Sequence, residues 1–359
     1  MTSEPSSVLV IAPNWLGDAV MALPAIADVR RHFAKARLIV AARPSVAAVF
    51  EMVPGIDAVV TGTSRADLYG LPVRASGADL YGPPVTPVLP AIGILLPNSF
   101  GSAWRLRRTG IRERWGYAHE GRSILLTRAV QRPRVSMHQG RYYQHLVAAL
   151  GIPNGPLEPV VDVSGALRER ARQLLAAAGW DGRQALVTLA PGAAYGTAKR
   201  WLPRHFATTI GALARDHDCR AVLVGSAADA ATIRMIATDA AAAGALPIDL
   251  GGKTTLQELA GVIALSTACV SNDSGAMHLA GAIGTPVVAL FGPTRDTETA
   301  PLTRAGGRAD VLFNPVSCRP CMLRECPIDH PCMRDLEPAR VLEALREAVA
   351  PGRTGRTPA

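Results

Sequence analysis

Compact apolar runs alternate along this chain with longer stretches of helical spacing. Val8 to Ala12 is a short apolar run, which predicts a buried strand. Pro13 to Asp18 breaks it as a loop, and Ala19 to Phe33 then repeats its apolar residues at the intervals of an amphipathic helix. The alternation continues through a strand at Leu38 to Ala42, a helix near Ser45 to Met52, and a short strand at Ala58 to Val60 after the Pro54-Gly55 turn. Ile92 to Leu96 predicts another strand, and Gln139 to Leu150 a helix that stops at Gly151. Between them, Thr63 to Pro90 is rich in glycine and proline with little periodicity and reads as a long irregular excursion.

Proline and glycine gather again between Gly151 and Pro159, which marks a linker. The expected domains are therefore residues 1–155 and 156–350, followed by a polar, disordered tail at 351–359. The second half repeats the pattern of the first. Helices are expected at Ala166 to Ala178, Phe206 to Asp216, Leu256 to Leu265, Met277 to Ile283 and Pro338 to Ala350, with one more after Gly225. Strands are expected at Ala185 to Ala190, Ala221 to Gly225, Ala268 to Val270 and Val287 to Phe291. Strands alternating with helices imply parallel sheets covered on both faces. The expected fold class is α/β, with two Rossmann-like doubly wound domains facing a central cleft. Ligands of such sheets bind outside the carboxyl ends of the strands.

Three loops that follow strands have suitable chemistry. In Pro13-Asn14-Trp15-Leu16-Gly17-Asp18, Gly17 permits a tight turn and Asp18 stands at a helix start. Asp18 is either an N-cap or a general base aimed into the cleft. In Pro191 to Trp201, a turn with Gly192 and Gly196 leads to Lys199-Arg200 and then to a helix near Pro203, an arrangement that suits a phosphate. A surface Lys-Arg pair is the simpler alternative. In Ser271-Asn272-Asp273-Ser274-Gly275-Ala276-Met277-His278, a strand ends in small polar residues and turns into a helix. Backbone N–H groups and the helix dipole then make either an anion site or an ordinary capped helix. Gly292-Pro293-Thr294 follows a strand and is placed to close the same end.

Composition narrows the class. A chain of 359 residues and 37.7 kDa is too long for one typical core and fits two domains. No apolar run reaches the ~18–20 residues of a membrane span. Met1 to Ser7 carries no basic segment and Val8 to Ala12 is too short for a signal core, so the expected location is the cytoplasm. The net charge is +9, almost all of it from arginine, since the lysines are Lys35, Lys199 and Lys253. Between Pro97 and His145, Arg105, Arg107, Arg108, Arg112, Arg114, Arg122, Arg128, Arg132, Arg134 and Arg141 face only Glu113 and Glu120. Such a patch suits an anionic membrane surface or a phosphorylated acceptor. Without a nucleic-acid motif, and with aromatics at 5%, nucleic acid ranks below both. Cys219 and Cys269 read as small core residues. Cys318, Cys321, Cys326 and Cys332 cluster around His330, which allows a structural metal or reduced thiols in a surface loop.

Taken in order, the opening Asn-Trp-Leu-Gly-Asp loop, Lys199-Arg200-Trp201, Ser271 to Gly275 with His278, and Ala289 to Thr294 resemble the lipopolysaccharide heptosyltransferases of glycosyltransferase family 9. The resemblance runs from about Val8 to Val349 and implies a GT-B fold. The opening loop and the late cysteine cluster look most like the branch that adds the second inner-core heptose from ADP-L-glycero-D-manno-heptose. On that resemblance Asp18 matches the catalytic aspartate and Lys199 the lysine that contacts the sugar-nucleotide phosphates. Asp273, Ser274, Gly275 and His278 match the nucleotide-sugar segment, and Asn14, Gly17 and Gly192 are further substrate-binding candidates. The implied acceptor is a lipid A–Kdo–heptose core at the inner face of the inner membrane, touched peripherally. The implied outcome is inversion with no metal required, since no Asp-x-Asp stands at a strand end. Alternatives are heptosyl transfer at another core step or to protein, and a nucleotide-sugar-binding protein without catalysis. Ala193 and Ala194 depart from the family's hydroxyl residues, which leaves more of the phosphate contact to backbone N–H groups. Thr63 to Pro90 is longer than the family pattern.

Overall fold

The computed structural model describes residues 5–62 and 89–349; the expected excursion at 63–90 and the tail at 351–359 fall largely or wholly outside them. The chain divides into two compact units, Met1–Leu157 and Glu158–Ala359.

The first unit runs β1 (Ser7–Ile11), α1 (Leu16–Met21), α2 (Leu23–His32), β2 (Arg37–Ala41), α3 (Pro44–Phe50), β3 (Ala58–Val60), β4 (Ile92–Leu95), α4 (Phe100–Thr109), β5 (Glu113–Ala118), β6 (Arg128–Gln131) and α5 (Gln139–Ala149). Its strands pair in parallel in the order β3-β2-β1-β4-β5-β6. β1 lies at the centre and every one of its residues is buried, as a strand covered on both faces requires.

Two expectations change here. The single helix expected over Ala19 to Phe33 is two helices that meet at Ala22, because Pro24 lacks the N–H that would continue the first one. Leu16 to Asp18, expected as loop, form the first turn of α1, so Trp15 occupies the N-cap position and Asp18 lies inside the helix. The arginine-dense stretch after Leu96, to which no element was assigned, holds α4, β5 and β6. Glu113-Arg114-Trp115-Gly116-Tyr117-Ala118 opens on two adjacent charges and then sets aromatic residues beside small ones, and four-residue β6 is a mostly exposed edge.

The second unit runs α6 (Gly165–Ala177), β7 (Ala185–Ala190), α7 (Pro203–His217), β8 (Cys219–Leu223), α8 (Ala230–Ala242), β9 (Ile248–Asp249), α9 (Leu256–Leu265), β10 (Ala268–Asn272), α10 (Gly275–Ile283), β11 (Val287–Phe291), α11 (Asp296–Thr299), β12 (Ala309–Phe313), α12 (Pro331–Arg334) and α13 (Pro338–Val349). The order is β12-β11-β10-β7-β8-β9, again all parallel. Alternate residues of β7 feed two cores. Val187 and Leu189 pack with Trp201, Phe206 and Ile210, while Leu186 and Ala190 pack with Ala171, Leu175 and Val262. Each sheet is wound in both directions from its centre. The switch lies between β1 and β4 in the first unit and between β7 and β10 in the second. Among the described residues, no helix is long and apolar enough to cross a membrane.

Candidate functional site

In the second unit, the loops after β7 and β10 flank the switch point, where an open α/β sheet offers its ligand crevice. One buried amide ties them together. Asn272, the last residue of β10, donates through Nδ2 to the Pro191 carbonyl at 2.7 Å. Its Oδ1 accepts from the Trp201 backbone N–H at 3.0 Å. The Pro191 to Trp201 loop is thus held at both ends by one side chain. Trp201 is fixed further by burial and by its indole N–H, which donates to the Leu336 carbonyl at 2.7 Å.

On that frame Lys199 lies directly against Asp273. Its Nζ is 2.6 Å from Oδ2 of the buried Asp273 carboxylate. The same oxygen accepts from Thr294 Oγ1 at 2.6 Å, which draws in the loop after β11. Two residues expected to contact the donor separately are therefore one ion pair, a half-buried lysine on a buried carboxylate, and Thr294 is its third member. Arg200 points to Asp229 at 3.5 Å, and Asp229 is held by the Ser226 N–H and hydroxyl. Gly192 lies against that carboxylate, which a Cβ would strike, so only glycine fits the close approach.

Ser274 is the N-cap residue of α10, but its side chain makes no capping bond; its hydroxyl is 3.0 Å from that of Ser271. Gly275 opens the helix and is half-buried, whereas His278 is buried on the same helix. The start of α10 therefore keeps first-turn N–H groups clear of side-chain caps at the positive end of the helix, where an anion is favoured.

The cysteine-bearing segment closes over these loops. Arg319 donates to the carbonyls of Gly292 at 2.9 Å and Thr294 at 3.2 Å, pairs with Asp296 at 2.7 Å, and stacks on Phe313. The Met322 N–H donates to the Pro293 carbonyl at 2.9 Å. Cys318 and Cys321 are exposed, Cys326 is half-buried and Cys332 is buried. Burial first, then the charges of Cys318, Cys326 and Cys321, push the Cys332 thiol up to about 11. Among the described residues, no three Cys, His, Asp or Glu side chains are grouped to hold a metal ion.

In the first unit, Asp18 stands in the first turn of α1, just past the carboxyl end of the central strand. Its carboxylate accepts from the hydroxyl of Tyr143 on α5, and the Gln139 side chain donates to that same hydroxyl from one turn earlier. Tyr143 is 4% exposed. Burial, and next the negative charge of Asp18, hold its hydroxyl well above the ordinary tyrosine range, so it stays protonated and donates. Asn14 is exposed and lines a pocket of about 290 Å³ with Arg43, Ser102 and Arg105, while Gly17 is half-buried in the turn before Asp18. Arg122 does not belong to any basic surface. It is fully buried, donates to the carbonyls of Tyr117 at 2.8 Å and Pro97 at 2.5 Å, and burial lowers its pKa to about 10.

Reading the sequence missed three members of these networks: Tyr143, Asn272 as a staple, and Thr294 as a partner of Asp273. Tyr143 sits at an ordinary core position of an amphipathic helix. Asn272 acts on atoms 71 and 81 residues away in the chain. Only its polarity at the end of a buried strand was a signal.

Two parallel, doubly wound units, with a helix start open to anions at a switch point, match the GT-B fold class. The chain belongs to glycosyltransferase family 9 (heptosyltransferase), whose profile matches residues 91–331. It is similar to lipooligosaccharide heptosyltransferase 2 of Haemophilus influenzae, at 28% identity over 371 residues, covering 96% of this chain and 99% of that protein. The Campylobacter jejuni lipooligosaccharide heptosyltransferase 2 is 25% identical over 346 residues, covering 96% and 99%. The solved structure of E. coli ADP-heptose lps heptosyltransferase II superposes with a TM-score of 0.77 at 25% identity, covering 96% of this chain and 98% of that one. The protein is thus a glycosyltransferase.

Proposed function

We propose that this enzyme transfers L-glycero-D-manno-heptose from ADP-heptose to the first heptose of the lipopolysaccharide inner core. The observation that carries the reading is the Lys199–Asp273–Thr294 cluster beside the uncapped start of α10, at the switch point of the second unit. In this reading ADP lies there, with Gly192, Ser274 and Gly275 offering close backbone approach and His278 supporting the helix from below. The acceptor hydroxyl attacks the anomeric carbon, the bond from that carbon to the diphosphate breaks, and ADP leaves with the electron pair. Asp18 takes the hydroxyl proton. Lys199 and the helix start stabilise the charge that builds on the leaving phosphates. Attack opposite the leaving group inverts the anomeric centre.

The acceptor side of the reading rests on the first unit, with Asn14 and Gly17 beside Asp18. Arg105, Arg107, Arg108, Arg128, Arg132 and Arg134 are exposed there, interleaved with exposed Trp104, Ile124 and Val135. Cations mixed with apolar side chains suit an anionic lipid surface at the inner membrane. Incubating the purified protein with ADP-heptose and defined heptose-deficient core acceptors, followed by mass analysis, tests the proposal. Addition of one heptose to the acceptor ending in a single heptose supports it. Addition only to another core acceptor or to protein moves the step, and donor consumption with no acceptor product removes it.

A further inference from the structure

The donor cluster has a shortage of charge. Lys199 is neutralised by Asp273, and Arg200 is drawn toward Asp229. Those two pairs contribute almost no net charge, yet a nucleoside diphosphate brings at least two negative charges. A further cation is needed on this face, and the cysteine-bearing segment supplies one.

We propose that Arg324 is a second diphosphate-binding cation of the donor site, delivered to it by the loop between Cys318 and Cys332. The inference rests on the donor reading above and adds a residue to it. Four contacts fix the placement. The Arg324 carbonyl accepts from the Ala198 N–H at 2.9 Å, immediately before Lys199. Gly196 packs against the Arg324 backbone so closely that a Cβ would collide with it. The Tyr195 hydroxyl donates to the Met322 carbonyl at 2.8 Å, which locks the ring. The guanidinium of Arg324 then lies 5.2 Å from the Tyr195 ring centre, and Lys199 Nζ lies 4.8 Å from the same centre. The two charges are therefore separated by no more than the sum of those distances, a span that a diphosphate can bridge.

Arg324 itself is exposed, and no carboxylate among the described residues pairs with it. A planar guanidinium stacked on an aromatic face keeps its forked N–H edge free for phosphate oxygens. This gives the cysteine-bearing loop a job that requires no metal: it carries Arg324 and the backbone bonds that aim it.

Calorimetric titration at fixed salt tests the assignment, with ADP and adenosine run against the wild type, Arg324→Ala, Arg324→Lys and Lys199→Ala. Arg324→Ala should weaken ADP about tenfold, the scale of one charge-assisted hydrogen bond, and leave adenosine unchanged. Arg324→Lys should recover part of the loss. Full ADP affinity in Arg324→Ala, together with a loss in Lys199→Ala, overturns this inference and leaves the donor site standing. Equal weakening toward ADP and adenosine also overturns it, because the loop would then matter for shape and not for charge. Full ADP affinity in both alanine variants removes the donor site itself.

Discussion

The two units share one winding and use it in opposite ways. In the first, the loop after the central strand puts a carboxylate into the opening turn of a short helix, and a phenol from the far end of the unit holds it. In the second, the loops around the switch point carry a cation, an anion and a hydroxyl locked by one amide. The cations held inside each unit differ as well. Arg122 rests on carbonyl oxygens, whereas Lys199 rests on a carboxylate. The winding says where a site can form, and the loops decide whether it handles protons or phosphates.

The contrast predicts separable defects. The largest should come from Asp18→Asn, which keeps the shape but removes the base. Transfer should fall by at least ~10²-fold while ADP affinity stays at the wild-type value. A joint loss of both would break the division of labour. Next comes Asn272→Ala, which strands the Pro191 carbonyl and the Trp201 N–H. At about 1–3 kcal/mol for each buried group left unpaired, thermal or denaturant unfolding should show a clear loss of stability, with ADP affinity falling in step. An effect on transfer without one on ADP binding would move Asn272 out of the donor unit's frame.

Tyr143→Phe should be smaller. It deletes one hydrogen bond to a charged group, so kcat should drop about tenfold with KM for the donor unchanged. Wild-type turnover would mean that Asp18 needs no positioning.

The smallest effect separates the units by pH. Cys269 lies fully buried in β10, and burial pushes its thiol up to about 12. The folded thiol keeps its proton where the unfolded one, with a pKa near 9, has lost it. Folding therefore binds protons above pH 9, and stability falls as pH rises from there toward 12. Between pH 9 and 10 Cys269 should contribute a loss of about 1 kcal/mol, read by denaturant titration as the difference in pH slope between the wild type and Cys269→Ala; Cys219 and Cys332, each pushed up to about 11, keep a slope in the variant. Tyr143, whose ordinary pKa is 10.0, should begin to weaken the first unit only above that value.

Much of the second unit was legible in the sequence because its strands are short apolar runs ended by polar residues, as at Ser271-Asn272-Asp273. The first unit was legible as far as Leu96 and again in its last helix, from Gln139. Between them, the adjacent charges Glu113 and Arg114 and the small residues Gly116 and Ala118 hide β5, and β6 is too short to show a period. Lys199 and Asp273 each stood out, but their pairing did not, because it depends on two loops brought together by sheet order. Asp18 stood out as a helix-start acid, while its partner Tyr143 looked like filler.

The staple at Asn272 has a chemical consequence. Its place calls for one donor toward Pro191 and one acceptor toward Trp201, a combination that an amide has and an ionised acid lacks. Spontaneous deamidation here would set a carboxylate oxygen against a carbonyl and release one end of the Lys199 loop. A shift of a single dalton, invisible on a gel, would then age the enzyme from its donor side while the rest of the chain stayed folded.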